Sequence, residues 1–125
     1  MRKPLDNWTS IKRGYTWGVP TFYNKFHQGL DVLTVANTPV YAPCDGFVKN
    51  TFGPKGGNTA TFDSTSTTIR FLHLKNFDKR GIVHEGDCIG YTGGNPGDAG
   101  AGLSTNPHVH IDVKVNGAYV DPETY

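Results

Sequence analysis

In one stretch of this chain the apolar positions recur with a period of two. In His108-Val109-His110-Ile111-Asp112-Val113-Lys114-Val115, four β-branched residues alternate with two imidazoles, a carboxylate and an ammonium. That spacing sends successive side chains to opposite faces of a sheet, so one face belongs to a core and the other to the polar wall of a groove. Shorter apolar runs predict strands at residues 40–42, 47–49, 59–62, 67–74, 88–91 and 118–120, and the run 32–35 makes a strand of the segment that begins at His27. Between them Asn37-Thr38-Pro39 marks a turn, Asp45-Gly46 a tight hairpin, residues 53–58 a loop and Asn116-Gly117 a two-residue hairpin. Residues 75–87 are polar and turn-like. Residues 1–26 form an irregular aromatic lead-in that covers one side of a sheet, and 93–107 a long glycine-rich loop of the kind that carries function. With no helical period and no repeat, the pattern predicts an all-β fold. It is one domain over residues 1–125, of short antiparallel strands. Residues 1–14 lead into a core at about 15–122.

Composition agrees with that picture. At 125 residues the chain is long enough for one core. Sixteen glycines exceed the usual share of about 7% and suit many turns between short strands. A net charge of +1 without a basic stripe offers no footprint for nucleic acid and no pull to an acidic membrane surface. Residues 1–20 lack the apolar stretch of a signal peptide, and no run approaches the eighteen or so apolar residues of a membrane span. Cys44 and Cys88 are too few and too far apart for a zinc ribbon, and are expected as free, buried thiols rather than a disulfide.

Four of the five histidines, with one carboxylate, sit at strand ends or bends: His27, Asp31, His73, His108 and His110. His27 and Asp31 have helical spacing, but Gly29 and the β-branched run after it oppose a helix. In a fully extended strand they would lie ~13 Å apart, too far to share a metal, so the segment must bend at Gly29. Two imidazoles and a carboxylate are a common ligand set for catalytic zinc, which activates a water and polarises the carbonyl it attacks. Further histidines can then move protons. The inventory fits metal-dependent amide hydrolysis. Asp112 shares a face with His108 and His110 but falls ~6.6 Å beyond His110, which favours a supporting role over ligation. His84 is expected as a solvated turn residue, and Tyr15, Trp17 and Tyr23 as packing before groove lining.

Taken in order, His27-Gln28-Gly29-Leu30-Asp31, Val40-Tyr41-Ala42-Pro43 with Asp45-Gly46, Phe71-Leu72-His73-Leu74, Gly86-Asp87 with Ile89-Gly90, and Ser104-Thr105-Asn106-Pro107-His108-Val109-His110 resemble the motifs of the lysostaphin-type zinc endopeptidases, the LytM or M23 family. The resemblance implies that His27, Asp31 and His110 bind Zn2+ and that His73 and His108 are the catalytic pair. It also implies the stem or cross-bridge peptides of bacterial peptidoglycan as substrate, and an antiparallel sheet forming a narrow groove between loops.

This chain departs from the family where Gly-Pro-His-Leu-His-Phe-Glu becomes Asn106-Pro107-His108-Val109-His110-Ile111-Asp112, and its 93–104 loop is longer than the compact form. It shows neither a wall-binding module nor an inhibitory prodomain. Delivery to the cell wall is therefore expected by another route: a phage lysin, a phage tail device or a trimmed form of a secreted enzyme. The rival readings are a non-catalytic wall-binding or activator module on the same fold, and a cupin-like metal protein, for which only Asp112 and Glu123 remain as downstream ligands.

Overall fold

The computed structural model describes residues 2–21, 25–98, 100–102, 104 and 106–124. Ten strands follow one another: β1 (Leu30–Val32), β2 (Pro39–Tyr41), β3 (Gly46–Gly53), β4 (Gly57–Ser64), β5 (Thr67–Leu72), β6 (Asn76–Phe77), β7 (Gly81–Val83), β8 (Cys88–Tyr91), β9 (Val109–Val115) and β10 (Ala118–Val120). No helix occurs among the described residues, and so none is long and apolar enough to cross a membrane. The larger, seven-stranded sheet runs β1-β9-β5-β4-β3-β7, with β10 also paired to β9; β2, β8 and β6 form a second, three-stranded sheet. Every pairing is antiparallel.

Register explains which face is core. Leu30, Ile111, Phe71 and Ala60 stand opposite one another across β1, β9, β5 and β4, and Val113, Ile69, Phe62 and Val48 form the next such row. All eight are buried, each burial contributing roughly 1.5–3 kcal/mol for the larger side chains. Leu5, Val40 and Ile89 join the same cluster, and Trp8 and Ile11 pack against it, so the lead-in does cover the core side of the sheet. The opposite face carries the alternate row, Asp31 opposite His110 and His110 opposite Leu72. A single β-ladder thus places two candidate ligands side by side.

Several sequence expectations need correction. Asp45-Gly46 is no hairpin, because β2 and β3 belong to different sheets; the Asp45 carboxylate instead accepts the Glu85 amide at 2.9 Å, as the chain crosses over. Residues 75–87 contain β6 and β7, whose two and three residues are too short to show a period. The strand expected over 32–35 ends at Val32, and the loop over 53–58 shrinks to a turn because β3 and β4 pair as far as Gly53 and Gly57. Cys44 and Cys88 are free, but half-buried rather than buried, donating to Ser64 Oγ at 3.6 Å and to the Gly90 carbonyl at 3.4 Å. Asn116 and Gly117, both left-handed, turn β9 into β10 as the hairpin expectation required.

Candidate metal centre and active site

The bend between His27 and Asp31 closes the gap that an extended strand would leave. His27 Nε2 lies 3.7 Å from Asp31 Oδ1, and His110 Nδ1 lies 3.0 Å from the same oxygen. One ligand atom from each of the three residues falls within 4.8 Å of the others. Gly29 permits this through close approach rather than through unusual backbone angles. A Cβ there would stand 2.6 Å from His110 Cε1, 2.7 Å from its Nε2 and 2.8 Å from the Ile111 carbonyl. Gly29→Ala is therefore expected to displace the His110 ring, lowering zinc affinity and any hydrolysis that depends on it by about 10²-fold, read by dye competition and by peptide release.

Backbone and carboxylate neighbours determine which ring nitrogen is free. His27 Nδ1 faces the Thr16 carbonyl at 3.2 Å, which can only accept, so Nδ1 carries the hydrogen and Nε2 the lone pair. That Nε2 is buried and has no partner, in a ring almost wholly hidden from solvent. His110 Nε2 faces Asp112 Oδ2 at 3.3 Å, leaving Nδ1 to point at Asp31. Burial pushes His27 below its ordinary pKa, outweighing the attraction of Asp31. Burial also lowers His110, but hydrogen bonds to Asp112 and Asp31 more than reverse it and lift the group to about 9. Asp31 would be raised by burial, yet the His110 hydrogen bond and the imidazoles around it hold it low. Without metal, then, a proton on His110 is the cation among these atoms.

Zinc fits the same place. In a tetrahedral site with ligands at roughly 2.0–2.1 Å, neighbouring ligand atoms are about 3.3 Å apart, between the two separations found around Asp31 Oδ1. The unpartnered His27 Nε2 is the acceptor that a proton on His110 does not satisfy. Asp112 stands behind the three candidate ligands. Arg70 grips it with Nε at 2.9 Å and Nη2 at 2.6 Å, from the residue directly opposite on β5. Asp112→Ala is expected to weaken zinc binding about 10–100-fold while the fold persists, since His110 loses the acceptor that orients it; competition with a chelating dye reads this directly.

His108 and His73 sit beside the cluster with ring centroids 4.8 Å apart. His108 Nδ1 meets the Asn106 carbonyl at 2.7 Å, and its Nε2 is 3.9 Å from Asp31 Oδ1. His73 Nδ1 meets the Ala101 carbonyl at 2.7 Å. Both rings therefore carry hydrogen on Nδ1 and a lone pair on Nε2. Burial, with help from His108, lowers the His73 pKa to about 4, so the ring is neutral at physiological pH. Tyr15 packs on His27 at 5.9 Å between ring centroids, Trp17 packs edge-on against Phe26, and Tyr23 lies outside the described residues, as does Thr105 of the motif. His84 is exposed, with Nδ1 3.7 Å from Asp45. Sequence reasoning missed Arg70 and the two orienting carbonyls: the first depends on strand register, the others on loop backbone that leaves no side-chain signal.

Residues 25–122 match the model of peptidase family M23. The chain is 35% identical over 104 residues to the peptidoglycan DD-endopeptidase ShyC of Vibrio cholerae, covering 80% of this chain and 23% of that protein, so it spans about a quarter of that relative's length. Its fold superposes on the catalytic domain of the antimicrobial peptidase lysostaphin from Staphylococcus simulans with a TM-score of 0.80, at 27% identity and with 98% of this chain and 97% of that one covered. A zinc-containing peptidase from Vibrio cholerae superposes with a TM-score of 0.77 at 28% identity, over 95% of this chain and 37% of that one. By the family match across most of its length, this chain belongs to peptidase family M23.

Proposed function

We propose that this chain is a zinc-dependent endopeptidase that hydrolyses peptide bonds in the stems or cross-bridges of bacterial peptidoglycan, at the cell wall. The observation that carries the reading is the buried, unpartnered Nε2 of His27 facing Asp31 and His110. The peptidoglycan endopeptidase and the zinc-containing peptidase among its relatives support the substrate and the metal. In this reading His27 Nε2, Asp31 Oδ1 and His110 Nδ1 hold zinc, which supplies Lewis acidity, making a water acidic near neutral pH and polarising an amide carbonyl.

The chain's own residues supply the proton movements. His108 Nε2, next to Asp31, takes the proton of the attacking water. His73 lies within ring contact of His108, and burial makes its imidazolium short-lived. The water's proton, relayed from His108 to His73 Nε2, is therefore passed readily to the departing amine nitrogen. The carbonyls of Ala101 and Asn106 keep both Nε2 lone pairs in place throughout.

Because His110 is protonated in the metal-free chain up to about pH 9, zinc binding at neutral pH displaces that proton. Titration with zinc at pH 7 is expected to release about one proton per site, and affinity to rise about tenfold per pH unit until His110 deprotonates on its own near pH 9. Weakly buffered titration with a pH indicator measures both. The function itself is tested by incubating purified peptidoglycan with the zinc-loaded chain, with and without a chelator. Fragments with new amino termini, absent with chelator and restored by zinc, are the expected result; zinc bound without release of fragments points to a wall-binding module instead.

A further inference from the structure

The glycine-rich segment before β9 reaches both imidazoles through its backbone, and its own seat lies elsewhere. Besides the Ala101 and Asn106 carbonyls, Ser104 Oγ lies 2.7 Å from the Gly94 carbonyl, 2.8 Å from that of Asn106 and 3.2 Å from His108 Nδ1. The segment rests on the tip of the β3–β4 hairpin through contacts with room only for glycine. Gly57 and Gly102 have φ of 68° and 61°. A Cβ on Gly57 would collide with the Gly100 carbonyl, one on Gly102 with the Lys55 carbonyl, and one on Gly100 with the Asn58 amide.

Hydrogen bonds tie the same junction to His73. The Gly56 carbonyl accepts the His73 amide at 2.8 Å, the Gly100 carbonyl accepts the Asn58 amide at 2.8 Å, and Asn58 Nδ2 donates to the Leu74 carbonyl at 3.0 Å. His73 is itself left-handed, with φ of 66°, a conformation that a non-glycine residue keeps only when its surroundings impose it. Hairpin tip, loop and His73 are one interlocked unit.

We infer that the β3–β4 hairpin tip is a remote positioning element: the Gly57–Gly100–Gly102 seat holds the Ala101 carbonyl against His73 Nδ1, and so fixes the tautomer whose Nε2 can accept a proton. The inference rests on the role proposed above for His73. A ring released from Ala101 is free to take the other tautomer, whose Nε2 is already occupied. The three metal-holding residues lie on β1, its approach and β9, outside the seat.

The test compares the zinc-loaded wild type with Gly57→Ala and Gly102→Ala, and uses Gly97→Ala as the control. Gly97 has φ of 88° in the same loop, but a Cβ there meets nothing within 4 Å. Three quantities are read: the ¹⁵N shifts of the His73 ring, zinc stoichiometry, and the rate of fragment release at increasing amounts of purified peptidoglycan. Wild type is expected to show a single His73 tautomer with hydrogen on Nδ1. The two seat variants are expected to keep zinc, to show mixed His73 tautomers and to lose about 10–100-fold in maximal rate at an unchanged half-saturating amount. Gly97→Ala is expected to behave as wild type. Should a glycine variant fail to fold, Asn58→Ala, which loosens the junction without adding a clash, replaces it with smaller changes in the same direction. A wild-type His73 carrying its hydrogen on Nε2, or seat variants with wild-type tautomer and rate, would overturn the inference. If wild type releases no fragments at all, the proposed function fails, and the ring shifts still decide the positioning.

Discussion

Replacing His73 by alanine is expected to reduce fragment release from peptidoglycan by about 10²–10⁴-fold, the usual contribution of a positioned proton-transfer group, while zinc remains bound at full stoichiometry. The separation of the two effects follows from geometry. His73 stands at the end of β5 with its Nδ1 tied to Ala101, and it supplies none of the three atoms clustered around Asp31 Oδ1. Its neutrality is equally testable. Burial disfavours the imidazolium, so an NMR titration of the ring is expected to give a pKa of about 4. As pH falls from the ordinary value of 6.5 towards 4, the proton is taken up by the unfolded chain first, so His73 makes folding less favourable over that window. Loss of zinc on His73→Ala would place the residue in the metal cage instead, and an unchanged rate would remove it from the chemistry.

Asp31→Ala is expected to have the larger effect: zinc binding is lost and hydrolysis falls to the uncatalysed background. Asp31 Oδ1 is the atom that approaches all three neighbouring imidazoles, His110 at 3.0 Å, His27 at 3.7 Å and His108 at 3.9 Å. Without its charge, three imidazoles crowd a buried space with nothing to balance a divalent cation. Metal analysis after dialysis, beside the same release assay, measures both losses. Melting of the metal-free proteins guards against a trivial cause. The variant is expected to lack the gain in melting temperature that zinc confers on wild type.

Much of this was legible in the sequence because the site is written on a strand. The alternation from His108 to Val115 identified which side chains share a face, and the ladder confirmed that Ile111 and Val113 turn to the core while His110 and Asp112 face Asp31 and Arg70. Period-two patterns carry that information locally. Register between strands is not local. Nothing in Thr67-Thr68-Ile69-Arg70 shows that Arg70 will stand opposite Asp112, because the pairing joins residues forty-two positions apart, with β6, β7, β8 and the glycine-rich loop between them.

Gly29 illustrates a second kind of gap. The sequence called for a bend there and attributed it to backbone freedom, whereas the residue is required because the His110 ring lies against its Cα. The requirement comes from a distant residue in sequence and is visible only once the fold has formed. Short strands were lost for a third reason. β6 and β7 owe their conformation to pairing with β8 and β3, with too few residues for any intrinsic pattern.

The most direct test of the metal centre is X-ray absorption at the zinc edge on the zinc-loaded chain, with stoichiometry measured on the same sample. One zinc per chain is expected, surrounded only by nitrogen and oxygen at roughly 2.0–2.2 Å, with the multiple-scattering signature of two imidazoles that falls to one in His27→Ala or His110→Ala. A sulfur neighbour from Cys44 or Cys88, an imidazole count unchanged by either substitution, or no zinc retained at neutral pH would contradict the account.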